Sequence, residues 1–225
     1  MIKKYKTIPR FYFEKIKTFW KTYIFRDELY LIREKFKMDN ALFDLRYNYP
    51  LNSESIVVDF GGYKGEWAQK IWEKYKCHVY IFEPLSEFFE QMKEKFRDNP
   101  KIHLYNFGIS DTDGTELISI DGVSSSQFVG DRKIKVKFRN VGEVFKELGL
   151  TKINLLKLNI EGGEFKVLPK MIEVGLIDIC DDLQVQFHHF YPNSEKLREE
   201  IRSKLLETHQ LTYDYPFFFE NYRKI

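Results

Sequence analysis

Residues Ile56 to Gly65 read IVVDFGGYKG, and this stretch constrains the fold more than any other in the chain. Ile56, Val57, Val58 and Phe60 surround a single acid, Asp59, the pattern of a strand buried on both faces. Gly61, Gly62 and Gly65 follow at once, and a helical pattern begins near Lys64. Glycine suits a tight turn in which the backbone must come close to a ligand. One strand later, VYIFEP places Glu83 at a strand end, 18 residues after Gly65. An acid in that place accepts hydrogen bonds from two ribose hydroxyls. The pair predicts an adenosine-containing cofactor.

The glycine spacing separates the candidate cofactors. A dinucleotide turn, G-x-G-x-x-G, needs glycine at 63 or 64, where Tyr63 and Lys64 stand. A phosphate loop of the form G-x-x-x-x-G-K-[ST] is absent. The spacing present, acid-x-Gly-x-x-x-Gly over Asp59, Gly61 and Gly65, resembles the first motif of class I methyltransferases that use S-adenosylmethionine. That cofactor has no pyrophosphate to cradle. Its amino-acid end carries an ammonium that Asp59 is placed to meet, directly or through water.

A chain of 225 residues suffices for one domain with a full core and one appendage. Charge is balanced overall, with 36 basic against 34 acidic side chains and a net +2, which speaks against a nucleic-acid partner. It is unevenly placed. Lys3, Lys4, Lys6, Arg10, Lys15, Lys17 and Lys21 face only Glu14 within residues 1–25, a local +6 that leaves −4 for the remainder. Cys77 and Cys180 make neither a metal spacing nor a disulfide framework, and a reducing cytoplasm fits them. No stretch approaches the ~18 apolar residues of a membrane span.

Phe11, Ile16, Phe19, Trp20, Tyr23 and Ile24 recur at helical spacing among lysines, so residues 10–37 read as one or two helices. Residues 1–50 then form an N-terminal helical extension, and 51–225 the main domain, entered through YNYPLNSES (47–55). The basic, aromatic extension suits a cap on the domain, a homodimer contact or peripheral contact with an anionic membrane, which would put the protein at the inner face of the membrane. From residue 56, strands alternate with helices: 56–60, about 64–75, 78–82, about 85–97 and about 101–107. Residues 110–122 read as turn, short strand and turn, and 123–132 as a flexible loop long enough to act as a lid. In that loop region, Arg132 and Lys133 suit a phosphate on the acceptor. A half-exposed strand at 134–138, a helix at 141–148, a strand at 153–158 and a helix at 163–171 interrupted by Pro169 come next. A strand at 183–187, an amphipathic helix at 194–207 and two strands turning near Tyr215-Pro216 complete the pass. The alternation predicts an α/β fold, a parallel sheet with helices on both faces.

Three further stretches narrow the resemblance: NFGISDTDG (106–114), LLKLNIEGGE (155–164) and VQFHHF (185–190). With VVDFGGYKG and FEP, the set resembles the FkbM family of methyltransferases over roughly residues 54–192. The resemblance implies the class I, Rossmann-like fold, its seven-stranded sheet completed by the C-terminal antiparallel pair. It also implies S-adenosylmethionine as cofactor and O-methylation of sugar hydroxyls or related natural products, often in polysaccharide biosynthesis. By the match, Asp59, Gly61, Gly62 and Gly65 form the cofactor turn, and Glu83 with Pro84 holds the ribose. Ser110 and Asp111 sit where such folds contact adenine, although Ser-Asp-x-Asp-Gly is also ordinary turn chemistry.

The chain departs from the family at one place. Where the family reads K-[ILV]-D-[IV]-E-G-[AG]-E, Asn159 replaces the aspartate, while Lys157, Glu161, Gly162 and Glu164 remain. Side chains alternate along a strand, so 157, 159 and 161 are expected on one face. The ligand crevice of an open parallel sheet lies at the carboxyl ends of its strands, which favours 159 and 161 over 157. Asparagine can orient a hydroxyl but cannot take a proton at neutral pH. A sugar hydroxyl needs a base within reach or a metal to acidify it. Glu161 and His188 are the candidate bases, with Asn159 beside them, and of His188 and His189 only one is expected to face the site. In the alternative version Asn159, Glu161 and His188 gather around a divalent cation, Mg²⁺ or Mn²⁺.

Other function classes stay open. Asn159 allows a catalytically silent module that keeps the cofactor pocket, and the acceptor class is unnamed by the sequence. Against a nucleic-acid methyltransferase stand the even charge and the absence of N/D-P-P-[FYW] at the fourth main strand. Against a nicotinamide oxidoreductase stands the glycine spacing.

Overall fold

Val57, Val58, Phe60, Leu155, Leu156, Leu158, Leu183 and Val185 are all fully buried, and they set the centre of the fold. Such near-continuous apolar runs belong to strands covered on both faces. Each side chain of this size adds about 1.5–3 kcal/mol when removed from water. The computed structural model describes residues 28–121, 124–126 and 132–225. It divides into two units, 1–45 and 46–225. Of the first, helix α1 (Glu28–Phe43) is described, with Lys35–Asp39 and Glu34–Lys37 ion pairs along its surface. The remainder of the helices expected over 10–37, with their basic stripe, lies outside the described residues.

The second unit is built on β1 (Ile56–Phe60), β2 (His78–Phe82), β3 (Ile102–Tyr105), β8 (Ile153–Leu158), β9 (Cys180–Val185), β10 (His209–Tyr215) and β11 (Phe219–Lys224). These form a seven-stranded sheet in the order β10-β11-β9-β8-β1-β2-β3. All pairings are parallel except those of β11, which runs against both β9 and β10. Successive residues of β1 serve opposite faces. Val57 packs with Trp67, Ala68 and Ile71 of α2 (Glu66–Tyr75) and Met92 of α3 (Ser86–Lys95). Val58 and Phe60 pack with Phe145 of α4 (Val141–Leu148), Leu168 and Met171 of α5 (Glu164–Glu173) and Leu205 of α6 (Ser194–Leu205). No helix among the described residues is long and apolar enough to cross a membrane.

Several expectations need correction. The short strand read within 110–122 is longer than expected, and with part of the loop read over 123–132 it belongs to a second sheet of four strands, in the order β4-β7-β5-β6. Its members are β4 (Gly108–Ser110), β5 (Gly114–Asp121), β6 (Ser124–Ser126) and β7 (Arg132–Asn140). The cause is the pairing of β5 with β7 from Gly114↔Phe138 to Ile120↔Arg132, which buries Ile118 and Val136 against Leu85. Arg132 and Lys133 therefore start a strand rather than a loop. Residues 123 and 127–131 of the expected lid lie outside the described residues. The third main strand stops at Tyr105, and β4 starts at Gly108, where a Cβ would lie 2.4 Å from the Phe138 ring and only glycine fits. Helix α5 runs through Pro169 to Glu173; the proline is exposed midway along it, and its missing N–H removes one helix bond. Strand β9 begins at Cys180, because Asp182 is neutralised inside the sheet by Asn221 Nδ2 (2.9 Å) and Arg223 Nε (3.0 Å).

Candidate active site

The carboxyl end of β1 turns through Gly61, whose φ is +88°, and Gly65, whose φ is +71°. A Cβ at Gly61 would lie 2.2 Å from the carbonyl oxygen of Asn159, so the β1 turn and the end of β8 touch backbone to backbone. At Gly62 a Cβ would lie 2.3 Å from Ile81. The N–H groups of Gly61 and Gly62 both donate to the Phe82 carbonyl, at 3.0 and 3.2 Å, which ties the turn to the end of β2.

Glu83 stands beside that turn and is held by backbone. Tyr63 N–H donates to its Oε2 at 2.8 Å, and Leu85 N–H to its Oε1 at 2.9 Å. The carboxylate is 5% exposed. Burial pushes its pKa up to about 7 against the opposing pull of the two N–H donors. Each oxygen keeps one further lone pair for a hydroxyl. Pro84 leads into Leu85, and Asn106 Nδ2 donates to the carbonyl of Glu83 at 3.0 Å, fixing the segment from the side of β3.

Asp59 lies beneath the turn and is fully buried. Lys157 Nζ donates to its Oδ1 at 2.6 Å and to the Gly61 carbonyl at 2.9 Å. Burial raises the Asp59 pKa, and Lys157 opposes it. Asp59 Oδ2 is buried with no hydrogen-bond partner. The sequence ranks Lys157 below Asn159 and Glu161 as a site residue; it is the cation that holds the motif acid and the turn together. Ser110 and Asp111 close β4 in the second sheet, rather than following the third main strand directly. Ser110 Oγ donates to Asp111 Oδ1 at 3.0 Å, and Asn140 Nδ2 to the Asp111 carbonyl at 2.5 Å.

The other half of the site is made where β8 and β9 end. Asn159 follows β8, and its Oδ1 is buried without a hydrogen-bond partner. The shared strand face expected for 157, 159 and 161 ends before 161. The strand stops at Leu158, and Glu161 adopts a φ of +52° followed by Gly162 at +101°. That turn carries the Glu161 carboxylate to 3.6 Å from His188 Nε2. His188 is buried and His189 is exposed. His188 Nδ1 is 2.8 Å from Glu164 Oε1, and Gln186 Nε2 is 3.4 Å from His188 Nε2. Burial pulls the His188 pKa down, but the hydrogen bond and charge of Glu164, with Glu161 adding, carry it above the ordinary histidine value. Burial also raises Glu161, opposed by His188 and assisted by Glu164.

Glu164 was missed as a site residue. An acid in the first turn of a helix reads as a complement to the helix dipole, and nothing local announces a partner 24 residues away. The expected metal set of Asn159, Glu161 and His188 offers one carboxylate, one imidazole and one amide, and gains no further acidic, histidine or cysteine ligand: among the described residues no group of three or more His, Cys, Asp or Glu side chains converges on a common point. The adenosine cofactor does fit the first half, with its bare glycine turn, the backbone-held Glu83 and the partnerless buried Oδ2 of Asp59.

The strand order, with its single reversed strand, and the glycine turn facing an acid on the neighbouring strand define a class I S-adenosylmethionine-dependent methyltransferase. Solved structures of this fold include an rRNA methylase from Streptococcus thermophilus, with a TM-score of 0.50 and 15% identity over 78% of this chain and 89% of that one. They also include a putative methyltransferase from Streptococcus mutans in complex with SAH, with a TM-score of 0.51 and 10% identity over 78% and 91%. At these identities the likeness concerns the fold alone. No curated protein matches by sequence. The profile of the methyltransferase FkbM domain matches residues 59–215, and the chain belongs to that family.

Proposed function

We propose that this methyltransferase acts on a hydroxyl oxygen, and that the hydroxyl belongs to a sugar. Nucleotide sugars and the glycans of capsule or lipopolysaccharide are the acceptors in view, with related natural products beside them. The observation that carries this reading is the His188–Glu161 pair, 3.6 Å apart at the carboxyl ends of the strands. A sugar hydroxyl is a weak acid, and its methylation needs a base to take its proton.

Bound S-adenosylmethionine supplies a methyl group on a positively charged sulfur. The chain does the remaining work. Glu83 accepts from the ribose hydroxyls, and the glycine turn lets the backbone close on the ligand. His188 Nε2 takes the hydroxyl proton as the new carbon–oxygen bond forms and the carbon–sulfur bond breaks, leaving S-adenosylhomocysteine. Glu161 faces the imidazolium so formed and stabilises it. The walls of the crevice align the reacting atoms and exclude water. No divalent ion enters this scheme, and turnover is expected to survive exhaustive chelation. A cytoplasmic reaction on an activated sugar, with the basic N-terminal segment at a membrane surface or a homodimer contact, suits the charge distribution.

The test is transfer of a labelled methyl group from S-adenosylmethionine to a panel of nucleotide sugars and extracted glycans, with tRNA and rRNA alongside. The proposal expects an O-methyl sugar. Label appearing only in RNA overturns it.

A further inference from the structure

We propose that Glu164 is the positioning residue of the acceptor half, fixing the His188 imidazole so that its Nε2 lone pair faces the reacting hydroxyl. The inference rests on the reading of His188 as the proton acceptor. Glu164 is fully buried at the start of α5, yet its carboxylate serves three groups from two other segments. Oε2 accepts from Gly162 N–H at 3.0 Å. Oε1 accepts from His188 N–H at 2.9 Å and stands 2.8 Å from His188 Nδ1.

A carboxylate has no hydrogen to give, so Nδ1 carries the proton in that contact. The bond made by one ring nitrogen sets the state of the other, so Nε2 is left with its lone pair. The opposite side of the ring agrees, because the Gln186 amide nitrogen, 3.4 Å from Nε2, is a donor. The same carboxylate pins Gly162, the residue after the left-handed Glu161, and so holds the turn that aims Glu161 at Nε2. The ionisable groups facing His188 are Glu164 from α5 and Glu161 from the turn. One buried acid therefore sets both the ring and its neighbouring carboxylate.

The experiment uses the full chain with ¹⁵N-labelled histidine, with His188→Gln spectra to assign the signals. In alkaline buffer, above the raised His188 pKa, the neutral wild-type ring is expected to show a protonated Nδ1 and a bare Nε2. Glu164→Gln keeps that tautomer, since its amide oxygen still accepts from Nδ1. Glu164→Ala releases it toward the Nε2–H form. On the nucleotide sugar that accepts methyl, Glu164→Ala is expected to lower kcat by at least about a hundredfold, and Glu164→Gln by less than about tenfold, with KM for S-adenosylmethionine unchanged. A neutral wild-type ring with Nε2–H and a bare Nδ1 in that buffer overturns the proposal whether or not the alanine variant folds. So does an unchanged tautomer in a Glu164→Ala protein that still binds S-adenosylmethionine. If the tautomer is as expected but His188→Ala transfers methyl at the wild-type rate, the base assignment fails and the brace stands.

Discussion

The two halves of the site are built from different materials. Around the β1 turn, backbone groups do the holding: Gly61 and Gly62 N–H on the Phe82 carbonyl, and Tyr63 and Leu85 N–H on Glu83. Around His188, buried side chains hold one another: Glu164 on Nδ1, Glu161 toward Nε2. Backbone construction demands glycine and a fixed spacing, which a sequence displays. Side-chain construction demands only that distant segments meet, which it does not.

The comparison breaks most directly at Lys157, the one place where the backbone half depends on a buried ion pair. Lys157→Met leaves Asp59 charged and alone in the interior, and a loss of about 3–5 kcal/mol is expected by denaturant unfolding. Adding Asp59→Leu should recover most of it; no recovery would mean that Lys157 acts chiefly through the Gly61 carbonyl.

His188→Ala comes next. Methyl transfer is expected to fall by roughly 10²–10⁴-fold, the usual contribution of a positioned base. Affinity for S-adenosylmethionine should stay where it was, and a parallel loss of affinity would show that the halves are not separate.

A smaller effect follows from Glu83. Its pKa, raised by burial to about 7, leaves it largely protonated in mild acid. Cofactor affinity is expected to drop no more than about tenfold from pH 8 to pH 6, following the ionised fraction. The fold responds in the opposite sense. A carboxyl group whose pKa is raised by burial contributes most to stability in acid, and that contribution declines as pH rises through 7. Titrations of cofactor binding and thermal melts over this range should therefore slope in opposite directions for this group. His189→Ala is the smallest change, since that ring is exposed, and kcat within about twofold of wild type is expected.

The main sheet was legible because its strands are short apolar runs bounded by turn residues. β1, β2 and β8 fall at 56–60, 78–82 and 153–158, as their patterns indicate. The second sheet was legible only in part: the short strand within 110–122 and the half-exposed strand at 134–138 fall in β5 and β7, while β4 and β6 gave no signal. Ser124–Ser126, which pairs with β5, has no apolar residue to announce a strand, and Ser-Asp-x-Asp-Gly hides the short strand before it. In the site, the turn and Glu83 could be found from spacing. Asp182 in β9 and Glu164 in α5 look like surface acids, and only their partners on other segments make them interior ones. Glu161 was placed near the crevice by strand alternation, yet it gets there through a left-handed turn beyond the strand.

The measurement that tests this account most directly is isothermal titration of S-adenosylmethionine into the wild type, Glu83→Ala and His188→Ala. The account predicts binding by the wild type, a loss of about a hundredfold or more in Glu83→Ala for two charged hydrogen bonds, and wild-type affinity in His188→Ala. Equal affinity in Glu83→Ala, or equal losses in both variants, would contradict the division of the site into a backbone-built cofactor half and a side-chain-built acceptor half.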